Sequence, residues 1–420
     1  MFLASVILAA TYIGVAVTRL PRINIDRPAA ALAGAVLMVV LGVLTFDQAV
    51  DAIDYNTLAL LLGMMLLVVV MQGQGFFTLL ASRFVAVAPT PGRLMASVVV
   101  LTAVCSAFMV NDVVVLLFTP IVIQACRMQR VNPLPFLIGE AMASNIGSTA
   151  TIVGNPQNML IGVTSGISFA RFFAYLAPVA VVGTGLLLAL LWVFYGKEWA
   201  KKDEASSGHR STDQVTLTPI DYRGLKRSVP LLALATAGFF LSSFIGIRVP
   251  LVALVAGVAA MLLSGVRPSQ VIQKVDWVLL LFFGGLFVVI GGARHAGVLD
   301  VFLNRVEVTP NVQGIVSVHL ASAFISQVVS NVPLTVLMIP LLQRVPGDTL
   351  WISLASGATL GGNATIIGAV ANIIVAEGAY REGIVIKFME FLKVGLAVTV
   401  LTLLASVGIL WLELEMGVLR

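Results

Sequence analysis

Gly147-Ser-Thr-Ala-Thr-Ile-Val-Gly-Asn-Pro-Gln-Asn158 interrupts a long hydrophobic run, and much of it returns as Gly361-Gly-Asn-Ala-Thr-Ile-Ile-Gly-Ala-Val-Ala-Asn372. Gly147, Ala150, Thr151, Ile152, Gly154 and Asn158 each recur 214 positions later. A second stretch behaves alike. Asn111-Asp-Val-Val-Val-Leu-Leu-Phe-Thr-Pro120 is matched by Asn331-Val-Pro-Leu-Thr-Val-Leu-Met-Ile-Pro340, with Asn111 and Pro120 recurring 220 positions on. Each copy sets polar, helix-breaking residues within apolar sequence. At bilayer depth, irregular backbone survives only where it is buried in protein or lines a cavity. Interrupted segments at matching places in two halves are the best sequence pointer to a transporter's binding site.

Composition agrees with a bilayer as the solvent. Of 420 residues, 59% are hydrophobic and 11% charged, against about 25% charged in soluble chains. Apolar runs close to the roughly 20 residues that span a bilayer recur throughout, and the alternation of a β-barrel is absent. The chain is therefore an all-α polytopic membrane protein. Its basic residues flank apolar spans, which argues against nucleic acid as a partner and for the lipid bilayer. Cys105 and Cys126 lie in or beside apolar runs and read as small hydrophobic filler. The first apolar run has no basic leader, so it reads as a span and not a cleaved signal.

Spans are expected near 2–19, 28–46, 56–74, 134–163 and 173–195, then near 229–246, 249–266, 277–293, 350–376 and 391–412. Two further apolar stretches, 94–125 and 312–343, are broken near their middles at Asn111 and Asn331. Their arms look short for full crossings, so each reads as a re-entrant hairpin; a plain pair of spans is the alternative. The repeat extends further. Asp54-Tyr55 and Asp276-Trp277 precede the third span of each half, 222 residues apart, and Gly63 and Gly75 match Gly285 and Gly297 at the same offset. Homologous halves with five crossings each have opposite orientations. The expected architecture is two inverted-topology repeats, residues 1–196 and 229–420, joined by a polar cytoplasmic linker at 197–228. With both termini outside, 19 of the 25 Lys and Arg residues fall in inner loops, as the positive-inside rule asks.

Gly147, Gly154 and Pro156 weaken helical bonding in mid-span. The freed backbone, with Ser148, Thr149, Thr151, Asn155 and Asn158, offers carbonyl, hydroxyl and amide groups to a solute. The second copy offers Gly362, Asn363, Thr365 and Asn372. Half-helix N-termini attract anionic or oxygen-rich solutes, and freed carbonyls attract cations. Close helix packing through small residues is the competing explanation. Asn111 and Asn331 at the hairpin tips either meet the solute or cap the arms they begin. Pro120 and Pro340 would end or kink those arms. Asp112 and Glu140 are acids within apolar sequence, which are functional candidates by default. Their counterparts in the second half are Val332 and Leu354, so both are candidates for proton or ion coupling. His319 reads as a hydrogen-bonded structural residue, Arg294 and His295 as interfacial, and His209 as inert in the linker. There is no phosphate-binding loop and no enzymatic motif. No cofactor or resident metal is expected, and a proton gradient, or sodium, would supply the energy. With no Lys or Arg near either motif, a weakly charged, hydroxyl-rich solute fits best.

Residues 111–120 and 144–162, with their second-half partners, resemble the ion transporter superfamily. Ser144-Asn-Ile-Gly-Ser-Thr-Ala-Thr-Ile-Val-Gly-Asn-Pro-Gln-Asn158 and Asn111-Asp112 are most similar to the arsenite efflux permeases and their anion-permease relatives. That resemblance implies inverted repeats, opposed hairpins and unwound helices. It also implies export of arsenite and antimonite across the bacterial inner membrane, by proton antiport or with an arsenite-stimulated ATPase partner. Sodium-coupled dicarboxylate carriers have Ser-Asn-Thr at both tips; here the tips read Val110-Asn111-Asp112 and Ser330-Asn331-Val332, a departure that counts against a sodium-carboxylate mechanism. A coupled carrier of sulfate or a dicarboxylate and a sodium/proton antiporter are the alternatives.

Overall fold

A computed structural model describes residues 1–16, 26–88, 90–203, 219–303 and 308–419. Arg19, Arg22, Arg210, Arg305 and Arg420, which enter the loop-charge count, and His209 of the linker lie outside the described residues. In chain order the first half holds α1 (Phe2–Ala16), α2 (Arg27–Val40), α3 (Phe46–Asp51), α4 (Tyr55–Gly73) and α5 (Phe76–Val87). Then come α6 (Pro91–Phe108), α7 (Asn111–Met128), α8 (Leu134–Ser148), α9 (Pro156–Ser165) and α10 (Phe169–Asp203). The second half holds α11 (Tyr222–Ile245), α12 (Val249–Leu263), α13 (Pro268–Gln273), α14 (Trp277–His295) and α15 (Val298–Leu303). It continues with α16 (Val312–Val329), α17 (Asn331–Leu342), α18 (Thr349–Gly361), a 3₁₀ turn (Ile366–Gly368), α19 (Val370–Arg381) and α20 (Phe388–Glu415). The described residues contain no strand. Eight of these helices are long and apolar enough to cross a bilayer. The molecule is a multi-pass integral membrane protein. The helix α10 continues to Asp203 and α11 starts at Tyr222, so helix extends into both ends of the polar segment 197–228.

Short polar side chains set where the spans begin. The Asp54 carboxylate accepts from the Asn56 and Thr57 amides, and Asp276 accepts from the Leu279 amide. These are the two aspartates that recur 222 residues apart. Each caps a helix start whose amides have no intrahelical partner. A short helix, α3 or α13, precedes each of the two capped spans.

The spans they start cross between halves. Helix α4 packs on α12, and α14 packs on α2. Both crossings depend on glycine. A Cβ on Gly63 would lie 2.6 Å from the Ala253 carbonyl oxygen, and one on Gly285 would lie 2.8 Å from the Ala31 carbonyl carbon. Only a residue without a side chain lets the backbones approach this closely, as small residues do at membrane helix contacts.

The remaining helices repeat one packing scheme. Helix α6 packs on α8 and α16 on α18, while α7 meets α19 and α17 meets α9. The long helices α10 and α20 pack on each other and on α8 and α18 respectively. Pro120 and Pro340 lie inside α7 and α17, and the helix runs on past both.

The arm-length argument for hairpins fails. Helices α6, α7 and α16 have 18 residues each, about 27 Å at 1.5 Å per residue, close to the hydrocarbon thickness of about 30 Å. Only α17, with 12 residues, is short. Depth is the informative quantity. The turn at 109–110 ends beside the break between α8 and α9, where the Asn111 amide donates to the Gly154 carbonyl at 2.9 Å. Helix α9 continues for ten residues beyond that level.

Candidate functional site

The first break runs from Thr149 to Asn155 and is held by its own side chains. The Asn158 amide nitrogen donates to the carbonyls of Ser148 at 3.1 Å and Thr151 at 3.0 Å. In the second break the Asn372 amide nitrogen donates to Gly362 at 2.8 Å and Thr365 at 2.9 Å. All three positions of this clasp are related by the 214-residue offset. Unwinding strips carbonyls of their helical partners, and one asparagine in each half supplies donors in their place. Asn155 caps α9 by accepting from the Asn158 amide at 2.8 Å, and its own nitrogen reaches the Ser148 hydroxyl at 3.0 Å. Its counterpart, Ala369, has no side chain for capping, and α19 starts without a side-chain cap.

The tips are fastened to the breaks. The Thr151 hydroxyl donates to the Ala107 carbonyl. Gly147 permits the approach, because a Cβ there would lie 2.5 Å from the Ala103 carbonyl carbon. In the second half a side chain does this work. Gln327 on α16 donates to the Gly361 carbonyl at 2.9 Å and accepts from the Thr365 hydroxyl at 2.9 Å. The second tip turns at Ser330, whose φ of 73° and ψ of 164° are disfavoured for an L residue.

Asn145 joins the halves. Its nitrogen donates to the Oδ1 atoms of Asn363 at 2.9 Å and Asn372 at 3.0 Å, and its oxygen accepts from Asn111 at 3.3 Å. Ser148 and Thr149 donate to the Asn145 carbonyl and so close the end of α8.

Beside this knot lies a cavity of about 450 Å³. Its lining includes Asn111 and Asp112 at the start of α7, Pro156 and Gln157 at the start of α9, Asn331 and Val332 at the start of α17, and Ala369 and Val370 at the start of α19. Six helix N-termini therefore converge on one space, since α2 and α14 also begin there behind their caps Asp26 and Asp276. Three of them, α7, α17 and α19, have no side-chain cap. The Oδ1 atoms of Asn111 and Asn331 are buried and have no hydrogen-bond partner. Asp26, Arg27, Asp276 and Glu377 complete the charged lining.

Of the residues singled out from sequence, the cavity gathers Asn111, Asp112 and Asn331. Gly147, Ser148, Thr149, Thr151, Asn155, Asn158, Gly362, Asn363, Thr365 and Asn372 lie behind them, in the knot and its clasps. Glu140 is elsewhere. It is buried on α8, where one carboxylate oxygen accepts from Thr119 at 3.0 Å and the other has no partner. His319 is buried between α16, α18 and α20. Its Nδ1 lies 2.8 Å from the Ile315 carbonyl, and its Nε2 lies 3.0 Å from both Ser406 and Ser356. Sequence reasoning missed Asn145, Gln157, Arg27, Asp26, Asp276 and Glu377. Asn145 and Gln157 stand within the quoted motif and were legible there. Arg27 corrects the expectation that no cation stands near the motifs: it is far away in sequence and is brought in by the fold.

Broken helices whose positive ends face one cavity inside a helical membrane protein define a secondary transporter. The chain belongs to the citrate transporter family CitMHS, which matches residues 12–351. An uncharacterized transporter of Mycobacterium tuberculosis is 33% identical over 410 residues, covering 93% of this chain and 94% of that protein. The P protein of Homo sapiens is 29% identical over 458 residues, covering 88% of this chain but 54% of its own length. The crystal structure of the Alcanivorax borkumensis YdaH transporter shares the fold, with a TM-score of 0.63 at 16% identity over 99% of this chain and 97% of that one.

Proposed function

We propose that this chain is a proton- or sodium-coupled carrier of a small carboxylate-type anion in the plasma membrane, the location its bacterial relatives support. The observation that carries this reading is the convergence of six helix N-termini on one cavity. Each such end is equivalent to roughly half a positive charge, so six supply about three. Arg27 adds a formal charge, and its Nε is buried without a partner. Against these stand the carboxylates of Asp26, Asp112, Asp276 and Glu377. Fully ionised, they cancel the positive sources and leave an anion no net attraction. Protonating or ion-pairing one or two of them tips that balance toward an anion, which is a physical basis for coupling. Asp112 is the prime coupling group because it sits at the tip itself. Glu140 lies outside the cavity and holds the weaker claim. The family description, citrate transporter, agrees with this solute class.

Inverted-topology repeats are the reading we adopt for the architecture. The reciprocal crossings α4 on α12 and α14 on α2 support it, as do the paired clasps at Asn158 and Asn372. On this reading α6–α7 and α16–α17 are re-entrant hairpins entering from opposite faces, both termini are outside, and 197–228 is cytoplasmic.

Arsenite and antimonite export is the second reading. It is favoured by the unpaired amide oxygens of Asn111 and Asn331, which suit a neutral trihydroxide. Proteoliposomes given an imposed proton or sodium gradient test both. Gradient-dependent uptake of labelled citrate or succinate is expected. Sodium-independent accumulation of arsenite, with no organic anion moved, would replace the first reading by the second.

A further inference from the structure

A second cavity, of about 310 Å³, is lined by Ile152 and Gly162, together with Asn56, Ser243, Arg248 and Pro250. It lies at the far end of α9 from the first. The inner cavity touches Pro156 and Gln157, where α9 begins, and the second touches Gly162, Val163 and Gly166, where it ends. The ten residues of α9 rise about 15 Å, and the first break folds back beside them. The break therefore separates the two cavities: Ile152 lines one, and Pro156 directly after the break lines the other.

One contact closes this partition on the second side. Ile152 is 1% exposed, and its side chain lies on the bare Cα of Gly162. A Cβ built on Gly162 would meet Cγ1 and Cγ2 of Ile152 at 2.7 Å and Cδ1 at 2.8 Å. The counterpart in the second break is different. Ile366 is only partly buried, and the position matching Gly162 is Ala376, which carries the methyl group that Gly162 lacks. The close seat thus belongs to one half alone, as expected of a contact that closes one side of an asymmetric state.

We infer that the second cavity is the opposite vestibule of the transport route, and that Ile152 seated on Gly162 is the seal between it and the solute site. This rests on the carrier reading proposed above and adds the residues that gate one side of it. In the state described here the seal is shut, and the solute site communicates with the side of Asp26, Asp276 and Glu377. Solute release toward the second cavity requires Ile152 to leave Gly162.

Thiol labelling in sealed membrane vesicles of both orientations tests this without any solute. Both native cysteines are buried, so wild-type protein is the blank. Ser243→Cys and Val278→Cys, exposed linings of the second and first cavities, should react with an impermeant maleimide from opposite faces. Labelling from one and the same face overturns the inference. Ile152→Cys should react slowly and only from the Ser243 face. Adding Gly162→Ala, which denies it the seat, should speed that reaction by about tenfold, a shift of ~1.4 kcal/mol in the open–shut equilibrium. Reaction from the Val278 face, or an unchanged rate, overturns it. Where Gly162→Ala fails to accumulate, Ile152→Ala in the Val278→Cys protein answers instead. Removing the plug should open a slow reaction of Val278→Cys from the Ser243 face, and continued protection from that face refutes the seal. If wild-type protein moves no citrate while the labelling pattern holds, the solute assignment fails and the route stands.

Discussion

Asn145 is the residue whose loss the structure prices most directly. It makes three side-chain hydrogen bonds at 2.9, 3.0 and 3.3 Å, to Asn363, Asn372 and Asn111. All four amides are buried, and the bonds join the first tip, the first broken helix and the second break. Interhelical side-chain bonds in membranes average about 0.6 kcal/mol, and buried bonds in general contribute about 0.5–1.5 kcal/mol. Asn145→Ala should therefore cost about 2–4 kcal/mol, the upper part arising because three buried partners are left unsatisfied. Asn145→Asp keeps the acceptor for Asn111 but sets carboxylate oxygens against two amide oxygens. It should be more damaging than alanine at neutral pH, although it is nearly isosteric. Acidification should recover part of the loss in Asn145→Asp and none in Asn145→Ala, since a protonated carboxyl regains one donor. Chemical unfolding in mixed micelles, at neutral and acidic pH, measures all three proteins. An alanine variant within about 0.5 kcal/mol of wild type, or an aspartate variant more stable than alanine at neutral pH, would refute the bridging role.

The two adjacent glycines of α14 should behave oppositely. Gly285→Ala drives a methyl into the Ala31 backbone and should cost about 1–3 kcal/mol, while Gly284, with nothing near its missing Cβ, should gain up to ~1 kcal/mol as alanine; equal effects in the same unfolding assay would argue against the close α2 crossing. Ser330→Gly relieves an unfavourable backbone conformation and should stabilise by about 1 kcal/mol after the entropy of glycine is counted; a destabilised variant would mean that the serine hydroxyl matters more than the strain. Asp112→Asn should retain solute exchange across liposomes at equal pH but lose gradient-driven accumulation, and undiminished accumulation would transfer coupling to another carboxylate.

Much of the fold was legible because bilayer physics is written in local composition. Apolar runs located the spans, and Gly147, Gly154 and Pro156 marked the first break. What failed was reasoning that needed a third dimension. Arm length suggested short hairpins, yet three arms are 18 residues long; only the depth of their tips against the broken helices is informative, and no local pattern encodes depth. Arg27 and Asp276 reach the cavity from the starts of α2 and α14, remote from both motifs. Within the motif itself, residue type did not separate lining from scaffolding. Asn111 and Asn158 look alike in sequence, but one borders the cavity and the other holds stripped carbonyls. That second task is indifferent to the solute. This explains why the motif pointed to the superfamily without distinguishing the arsenite branch from the citrate transporter family, which matches residues 12–351.

The crossing of α4 on α12 and of α14 on α2 also bears on biogenesis. When the ribosome has released residues up to about 200, α2 and α4 are complete, but each lacks its principal neighbour. Their contact faces stay open until α14 has been inserted for α2 and α12 for α4, whose starts lie 250 and 194 residues further on (Arg27 to Trp277 and Tyr55 to Val249). Such long-range pairing delays the final fold until late in synthesis. A chain halted at the central polar segment leaves quality-control proteases a bundle in which α2, α4, α7, α9 and α10 all lack their second-half neighbours.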